Sequence, residues 1–223
     1  VPRRVHAGRP RAVLTGVTPA PDEPVGVGPH PQPWPDDARL DPDLLEHGDR
    51  RNVVDRYRYW SVEAIRADLD EHRHDFAVAI ENWRHDLNIG TIVRTANAFN
   101  AREVIVVGRR RWNRRGAMVT DRYLHVRHVD DPAELAAYAA RTGYDLIGID
   151  NLPGSLPLES AALPRPALFF FGQEGTGLTA AARAAVTATY SIAQYGSTRS
   201  INAGVAAGIA MHAWIRQHAQ LPG

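Results

Sequence analysis

The chain has 223 residues, with 26 basic and 25 acidic side chains, a net charge of +1 and no cysteine. That length suits one globular domain plus an extension, and the balanced charge excludes a wholly basic coat protein. Without cysteine there is no disulfide, thiolate zinc site, iron–sulfur cluster or cysteine nucleophile. All of the basic side chains are arginine, which also excludes Schiff-base chemistry and the lysine-bearing phosphate loop.

Residues 1–48 hold ten of the sixteen prolines and no periodicity, the pattern of an irregular Pro/Gly/Arg-rich arm. Residues 49–74 form a basic and aromatic segment followed by a helix, with Ser61 as its N-cap and Val62, Ile65 and Leu69 on one face. From residue 75 onward the pattern alternates. Strand-length apolar runs occur at 76–80, 104–107, 146–149, 167–171 and 189–192, with helical patterns at 89–99, 132–141, 178–186 and 201–218. Short apolar strands separated by helices predict an α/β domain with a parallel sheet covered on both faces. No apolar run approaches the roughly 18–20 residues of a membrane span, and the first residues lack the apolar core of a signal peptide. The expectation is a cytoplasmic protein.

Three stretches carry chemistry. Asn88-Ile-Gly-Thr-Ile-Val-Arg-Thr-Ala follows the first strand, and Ile89, Ile92, Val93, Ala96 and Phe99 make its apolar stripe. Gly90 and Arg94 share the opposite side, where a glycine one turn before the arginine predicts open space beside the guanidinium. Phe171-Gly-Gln-Glu-Gly-Thr-Gly-Leu runs from a very apolar strand into three glycines. It is either a phosphate loop, a tight turn, or a site where Glu174 faces a cationic or hydroxyl-bearing ligand such as S-adenosylmethionine. Ile192-Ala-Gln-Tyr-Gly and Ser200-Ile-Asn-Ala-Gly-Val-Ala-Ala-Gly form a polar loop ahead of a helix of small residues. Between the first two, Arg109, Arg110, Arg111, Trp112, Arg114 and Arg115 supply phosphate contacts and a face for base stacking. The ten histidines show no metal-ligand spacing, and no metal is expected. A dinucleotide-dependent oxidoreductase would need a glycine-rich loop after the first strand, where this chain has Glu81-Asn-Trp-Arg-His-Asp.

In this order the three stretches resemble the three motifs of the SPOUT superfamily, in its TrmH (SpoU) branch of RNA ribose 2′-O-methyltransferases, over roughly residues 75–218. The chain departs from the pattern at Ala193-Gln194, where Pro-Met is common, and at Ala203-Gly204, where Val-Ser is common. The resemblance implies a SPOUT domain over 75–223 whose C-terminal part threads into a deep trefoil knot, with S-adenosylmethionine as cofactor. It also implies a homodimer with the small-residue helix at its seam, and tRNA or rRNA as partner. Arg94 would be the central catalytic residue, supported by Asn88, Glu174, Ser200 and Asn202. Gly172, Glu174, Gly177, Ile192, Gln194 and Ile201 would hold the cofactor, and Arg199 would join the 109–115 arginines on RNA. An arginine has a pKa above about 12, so Arg94 is expected to clamp a phosphate beside the target ribose rather than to take a proton. The alternative is an RNA-binding or assembly factor that keeps the fold and has lost catalysis. Many relatives carry an N-terminal ribosomal-protein-like domain, and the Pro-rich arm is too short and irregular to be one.

Overall fold

A computed structural model describes residues 26–83 and 88–220. Residues 26–60 fold back on themselves: Val27 pairs with Asp49 and Leu40 with Trp60 in antiparallel bridges. Between them lies helix α1 (Pro42–His47), started by the Asp41 side chain, which accepts from the Asp43 amide. Asp49 is fully buried, and its carboxylate accepts from the Arg51 guanidinium at 2.9 and 2.7 Å and from the Tyr59 amide at 3.0 Å. Burial alone would raise its pKa; the hydrogen bonds outweigh it and hold the carboxyl below its ordinary range. Helix α2 (Val62–Asp70) begins where Ser61 Oγ accepts from the Ala64 amide at 3.1 Å, and its Ile65 packs with Tyr57 and Tyr123. Of the expected arm, residues 1–25 lie outside the described residues, and 26–48 are bonded to the segment that follows.

The remainder is one α/β layer structure. In chain order it holds β1 (Phe76–Asn82), α3 (Asn88–Ala98), β2 (Val104–Gly108), β3 (Val126–Val129), α4 (Pro132–Thr142) and β4 (Asp145–Ile149). It continues with β5 (Leu156–Pro157), β6 (Ala167–Phe171), α5 (Ala180–Ala185), β7 (Ala188–Ser191) and α6 (Ala203–His218). The seven strands form one sheet in the order β3-β2-β1-β6-β4-β7-β5, and every pairing is parallel. Side chains alternate across the pleat. Phe76, Val78, Ile80, Phe169 and Phe171 therefore face α3 and α6, where Trp214 fills the contact. Ala77, Ala79, Leu168 and Phe170 face α4 and α5. With both faces covered, the central strands read as continuous apolar runs.

Several boundaries differ from the sequence expectation for local reasons. The helix expected over 178–186 is only Ala180–Ala185, because Thr179 takes the N-cap and accepts from the Ala182 amide. The helix expected from 201 starts at Ala203, since the Asn202 side chain caps it by accepting from Gly204 and Val205 at 2.9 and 3.2 Å. β5 has two residues, too few to leave a pattern in the sequence. β3 is an edge strand whose Val126 and Arg127 face solvent, so it lacks the apolar run of a central strand.

Candidate active site

All strands are parallel, so the loops following them gather at one edge of the sheet, where open α/β sheets place ligands. A cavity of about 570 Å³ lies there. Gly172, Gln173, Glu174 and Gly177 line it from the loop after β6, and Asp150 and Asn151 from the loop after β4. Ile192, Gln194, Arg199, Ser200, Ile201 and Asn202 line it from the segment ahead of α6. All six residues expected to hold a cofactor thus line this one cavity. Gln194 Oε1 is buried without a hydrogen-bond partner among the described residues, an acceptor at the cavity that suits an N–H donor.

The glycines in the wall have steric reasons. A Cβ at Gly172 would sit 2.0 Å from the Gly177 carbonyl carbon and 2.2 Å from Leu178 N, so the loop closes on itself only without one. Gly177 has φ +63°, and a Cβ there would meet Asp150 Oδ2 at 2.3 Å. Two carboxylates fix the loop from either side. Asp150 accepts from the Leu178 amide at 2.8 Å. Glu81, fully buried at the end of β1, accepts from Thr179 N at 2.9 Å, Thr179 Oγ1 at 2.6 Å and Trp83 Nε1 at 2.9 Å. Gln173 Oε1 accepts from the Trp83 amide at 3.0 Å. The sequence reading singled out neither Glu81 nor Asp150. The legible signal was a carboxylate where an apolar strand ends.

Beside the cavity the three motifs meet through side chains. Asn202 Nδ2 donates to Asn88 Oδ1 at 2.8 Å, and Asn88 Nδ2 donates to Glu174 Oε2 at 3.1 Å. Because Asn202 Oδ1 is held by the first amides of α6, its Nδ2 can only point outward, and that sets the Asn88 amide in turn. Residues 88, 174 and 202 thus tie the first residue of α3, the glycine loop and the cap of α6 into one chain. Asn151 Nδ2 donates to the Arg199 carbonyl at 3.1 Å, joining the fourth segment. Ser200 is exposed in the wall.

Arg94 is not brought to this cavity. It is exposed on α3, outside the lining, six residues beyond Asn88 or about 9 Å along the helix axis. Nor does Gly90 leave open space beside it. A Cβ at Gly90 would lie 2.7 Å from Ala117 N and 2.8 Å from Gly116 Cα and N, so the glycine admits the turn Arg115–Ala117 against α3. The glycines of α6 also act within the chain. A Cβ at Gly204 would lie 3.0 Å from the Thr91 side chain of α3 and one at Gly208 3.8 Å from that of Thr95, so the small residues let α6 approach α3 within the chain. The large apolar side chains that α6 exposes are Val205 and Ile209. Arg109, Arg110, Arg111, Arg114 and Arg115 are exposed after β2, but Trp112 is half-buried on the core with the Arg114 guanidinium 5.5 Å from its ring centre, not the free stacking face expected. Asn82 Nδ2, which donates to the Arg109 and Arg111 carbonyls at 2.6 and 2.9 Å, anchors that loop.

No described helix is long and apolar enough to cross a membrane, and the described residues contain no cluster of three or more His, Asp or Glu placed to hold a metal ion. Comparison with known proteins connects this geometry to a family. The model of the SpoU rRNA Methylase family matches residues 75–212. A protein of Mycolicibacterium smegmatis bearing the name uncharacterized tRNA/rRNA methyltransferase is 31% identical over 147 residues, covering 63% of this chain and 46% of its own length. One of Mycobacterium leprae with a similar name is 28% identical over 171 residues, covering 74% and 54%. The chain thus spans about half the length of the curated relatives it matches. Among solved structures, the TrmH/SpoU tRNA-modifying enzyme of Aquifex aeolicus superposes with a TM-score of 0.62 at 21% identity, over 70% of this chain and 81% of the other. AviRb of Streptomyces viridochromogenes, a SpoU methyltransferase solved in complex with its cofactor AdoMet, gives 0.57 at 28% identity, over 67% and 60%. With well over half of its residues matched, the chain belongs to the SpoU rRNA methylase family.

Proposed function

We propose that this chain is an S-adenosylmethionine-dependent RNA methyltransferase that acts on a ribose 2′-hydroxyl of tRNA or rRNA. The observation that carries this reading is the hydrogen-bonded chain Asn202–Asn88–Glu174 beside the glycine-walled cavity. The cavity's chemistry fits the cofactor: backbone groups freed by glycine, a buried unsatisfied acceptor on Gln194, and the Glu174 carboxylate to face positive charge. When bound, S-adenosylmethionine supplies an electrophilic methyl group on a sulfonium.

The chain's own contribution is positioning. Glu81 and Asp150 hold the glycine loop, while the two asparagines set the Glu174 carboxylate and the lip of the cavity. Arg94 would clamp the phosphate beside the target ribose with its planar fork, orienting the 2′-hydroxyl and stabilising the developing alkoxide. The proton would leave to a phosphate oxygen or to water. Arg94 is exposed and outside the cavity lining, so we place it against the cavity of a second copy, in a homodimer that covers Val205 and Ile209. We further propose that residues 172–218 thread into a trefoil knot. The Asn151 bond to the Arg199 carbonyl and the reach of Asn202 to Asn88 support it, since they draw the segment ahead of α6 between two other loops. The exposed arginines 109–111, 114 and 115, with Arg199, would contact RNA phosphates. As domain organisation we propose a SPOUT unit from residue 75 and, ahead of it, the basic segment 49–74.

The test is transfer of a radiolabelled methyl group from S-adenosylmethionine to purified tRNA and rRNA, followed by digestion to nucleosides. Label is expected in 2′-O-methylnucleosides, and Arg94→Lys, which keeps charge but loses the fork, should lower the rate at least 100-fold, about 3 kcal/mol of transition-state stabilisation. Label only in base-methylated nucleosides, or cofactor bound without transfer to any RNA, would overturn the reading.

A further inference from the structure

Beyond the cavity, the structure holds a second concave site of about 420 Å³ between α2 and the segment that follows β2. Arg66 of α2 lines one side, and Trp112, Arg114, Asp121, Arg122 and His125 line the rest. The arginines of the N-terminal segment and the sheet mostly meet carboxylates, as Arg51 does with Asp49 at 2.7 Å and Arg127 with Glu103 at 3.0 Å. Those around the groove largely do not. Arg66 and Arg122 form no ion pair among the described residues, and Arg66 instead donates to the Arg122 carbonyl, which locks α2 to the opposite wall. Asp121, the one carboxylate lining the groove, is already engaged, and so is Asp70 beside it. Asp121 lies 3.3 Å from Arg114, and Asp70, which pairs with His125 at 2.9 Å, is also bonded by Arg73 at 2.6 Å. The result is a pre-formed groove with excess positive charge, continuous through Trp112 and Arg114 with the exposed arginines that follow β2.

We propose that this groove is a separate RNA-backbone site, taking phosphates of the substrate at a distance from the reacting ribose. Arg66 lies ahead of residues 75–212, so one wall is supplied by the extension and not by the family domain. A polyanionic ligand matches the groove because guanidinium donors converge there with no carboxylate left over to repel it. Through the groove the extension acts as a substrate clamp. The inference rests on the reading of the chain as an RNA-binding enzyme, but it does not depend on catalysis.

The experiment is fluorescence anisotropy with a fluorescein-labelled RNA hairpin bearing a single-stranded tail, titrated at several salt concentrations. Arg66→Gln with Arg122→Gln should weaken binding by about tenfold near physiological salt. It should also reduce the slope of log K against log salt by about 1.4 to 1.8, the value for two lost phosphate contacts. Asp121→Asn, which removes the one carboxylate in the groove, should tighten binding. If the double variant does not fold, Arg122→Gln alone, an exposed side chain, should still remove about 0.7 to 0.9 of slope. Unchanged affinity and slope in these variants, or no binding of the probe by the unsubstituted chain, would overturn the proposal. Calorimetry with S-adenosylmethionine on the same proteins separates the two readings. Loss of cofactor binding in the unsubstituted chain counts against the methyltransferase, whereas the groove stands or falls on the RNA titrations.

Discussion

Replacing Gly90 by alanine tests whether α3 is positioned by a backbone-to-backbone contact. On helix propensity alone the change should stabilise by up to about 1 kcal/mol. The structure opposes it, because the added Cβ would lie 2.7 to 2.8 Å from Ala117 N and from Gly116 Cα and N. These are main-chain atoms of the turn Arg115–Ala117, which cannot rotate aside as a side chain can. Overpacking of this kind costs about 1 to 3 kcal/mol, so the net effect is a loss of about 1 kcal/mol, or a fall in Tm of about 2 to 4 °C. Gly116→Ala should cost less, since its Cβ would meet Thr91 N and the Gly90 carbonyl carbon at 3.0 and 3.1 Å. Urea and thermal unfolding of both variants supply the measurement. A Gly90→Ala protein that is more stable by the full propensity gain would refute the close contact. In that case the glycine would be free for the open space beside Arg94 that the sequence pattern suggested.

Asn202 has two jobs that substitution can separate. Asn202→Asp keeps the cap on α6 and should hold stability within about 0.5 kcal/mol, whereas Asn202→Ala should lose about 1 kcal/mol. Both lose the donor to Asn88, so both should slow methyl transfer, and full activity in the aspartate variant would dismiss the side-chain relay. Glu81→Gln puts an amide where three donors converge and should destabilise by about 1 to 3 kcal/mol. It should also weaken S-adenosylmethionine binding severalfold, read by calorimetry; unchanged affinity would remove Glu81 as a support of the glycine loop. Asp75 is held below its ordinary value of 3.8, first by its hydrogen bond from Arg165, with burial opposing and Arg102 adding to the effect. Its folded-state pKa is depressed, so its contribution is complete above the unfolded value and fades as pH falls below about 3.8. Unfolding of Asp75→Asn should therefore show a shallower acid limb in that range; an identical acid limb would assign the loss to other carboxylates.

Much of the architecture was legible because burial leaves a mark on residue type. Strands covered on both faces must be apolar throughout, so 76–80, 104–107 and 167–171 announced a parallel sheet. Ser61 marked the start of α2 by a local rule that needs no tertiary information. Glu81 and Asp150 were harder to see. A carboxylate at a strand end is ordinary in sequence, and only the arrival of the Thr179 and Leu178 amides from far along the chain gives each its role. Glycines were read as sites but not as contacts. Sequence shows that Gly90, Gly204 and Gly208 lack a side chain, and it cannot show which backbone or side chain uses the space.

What the sequence by itself determined was the layer architecture and the order and residues of the three motifs. These follow from periodicity, capping and side-chain chemistry, which act over a few residues. The tertiary structure alone decided which of those residues touch. It joined Asn88, Glu174 and Asn202 across separations of 86 and 114 positions, left Arg94 outside the cavity, and turned the α6 glycines toward α3. The physical reason is that a hydrogen bond or a steric contact depends on distances of about 3 Å between distant segments. Those distances are fixed by sheet order and helix packing, not by any property that one residue carries along the chain.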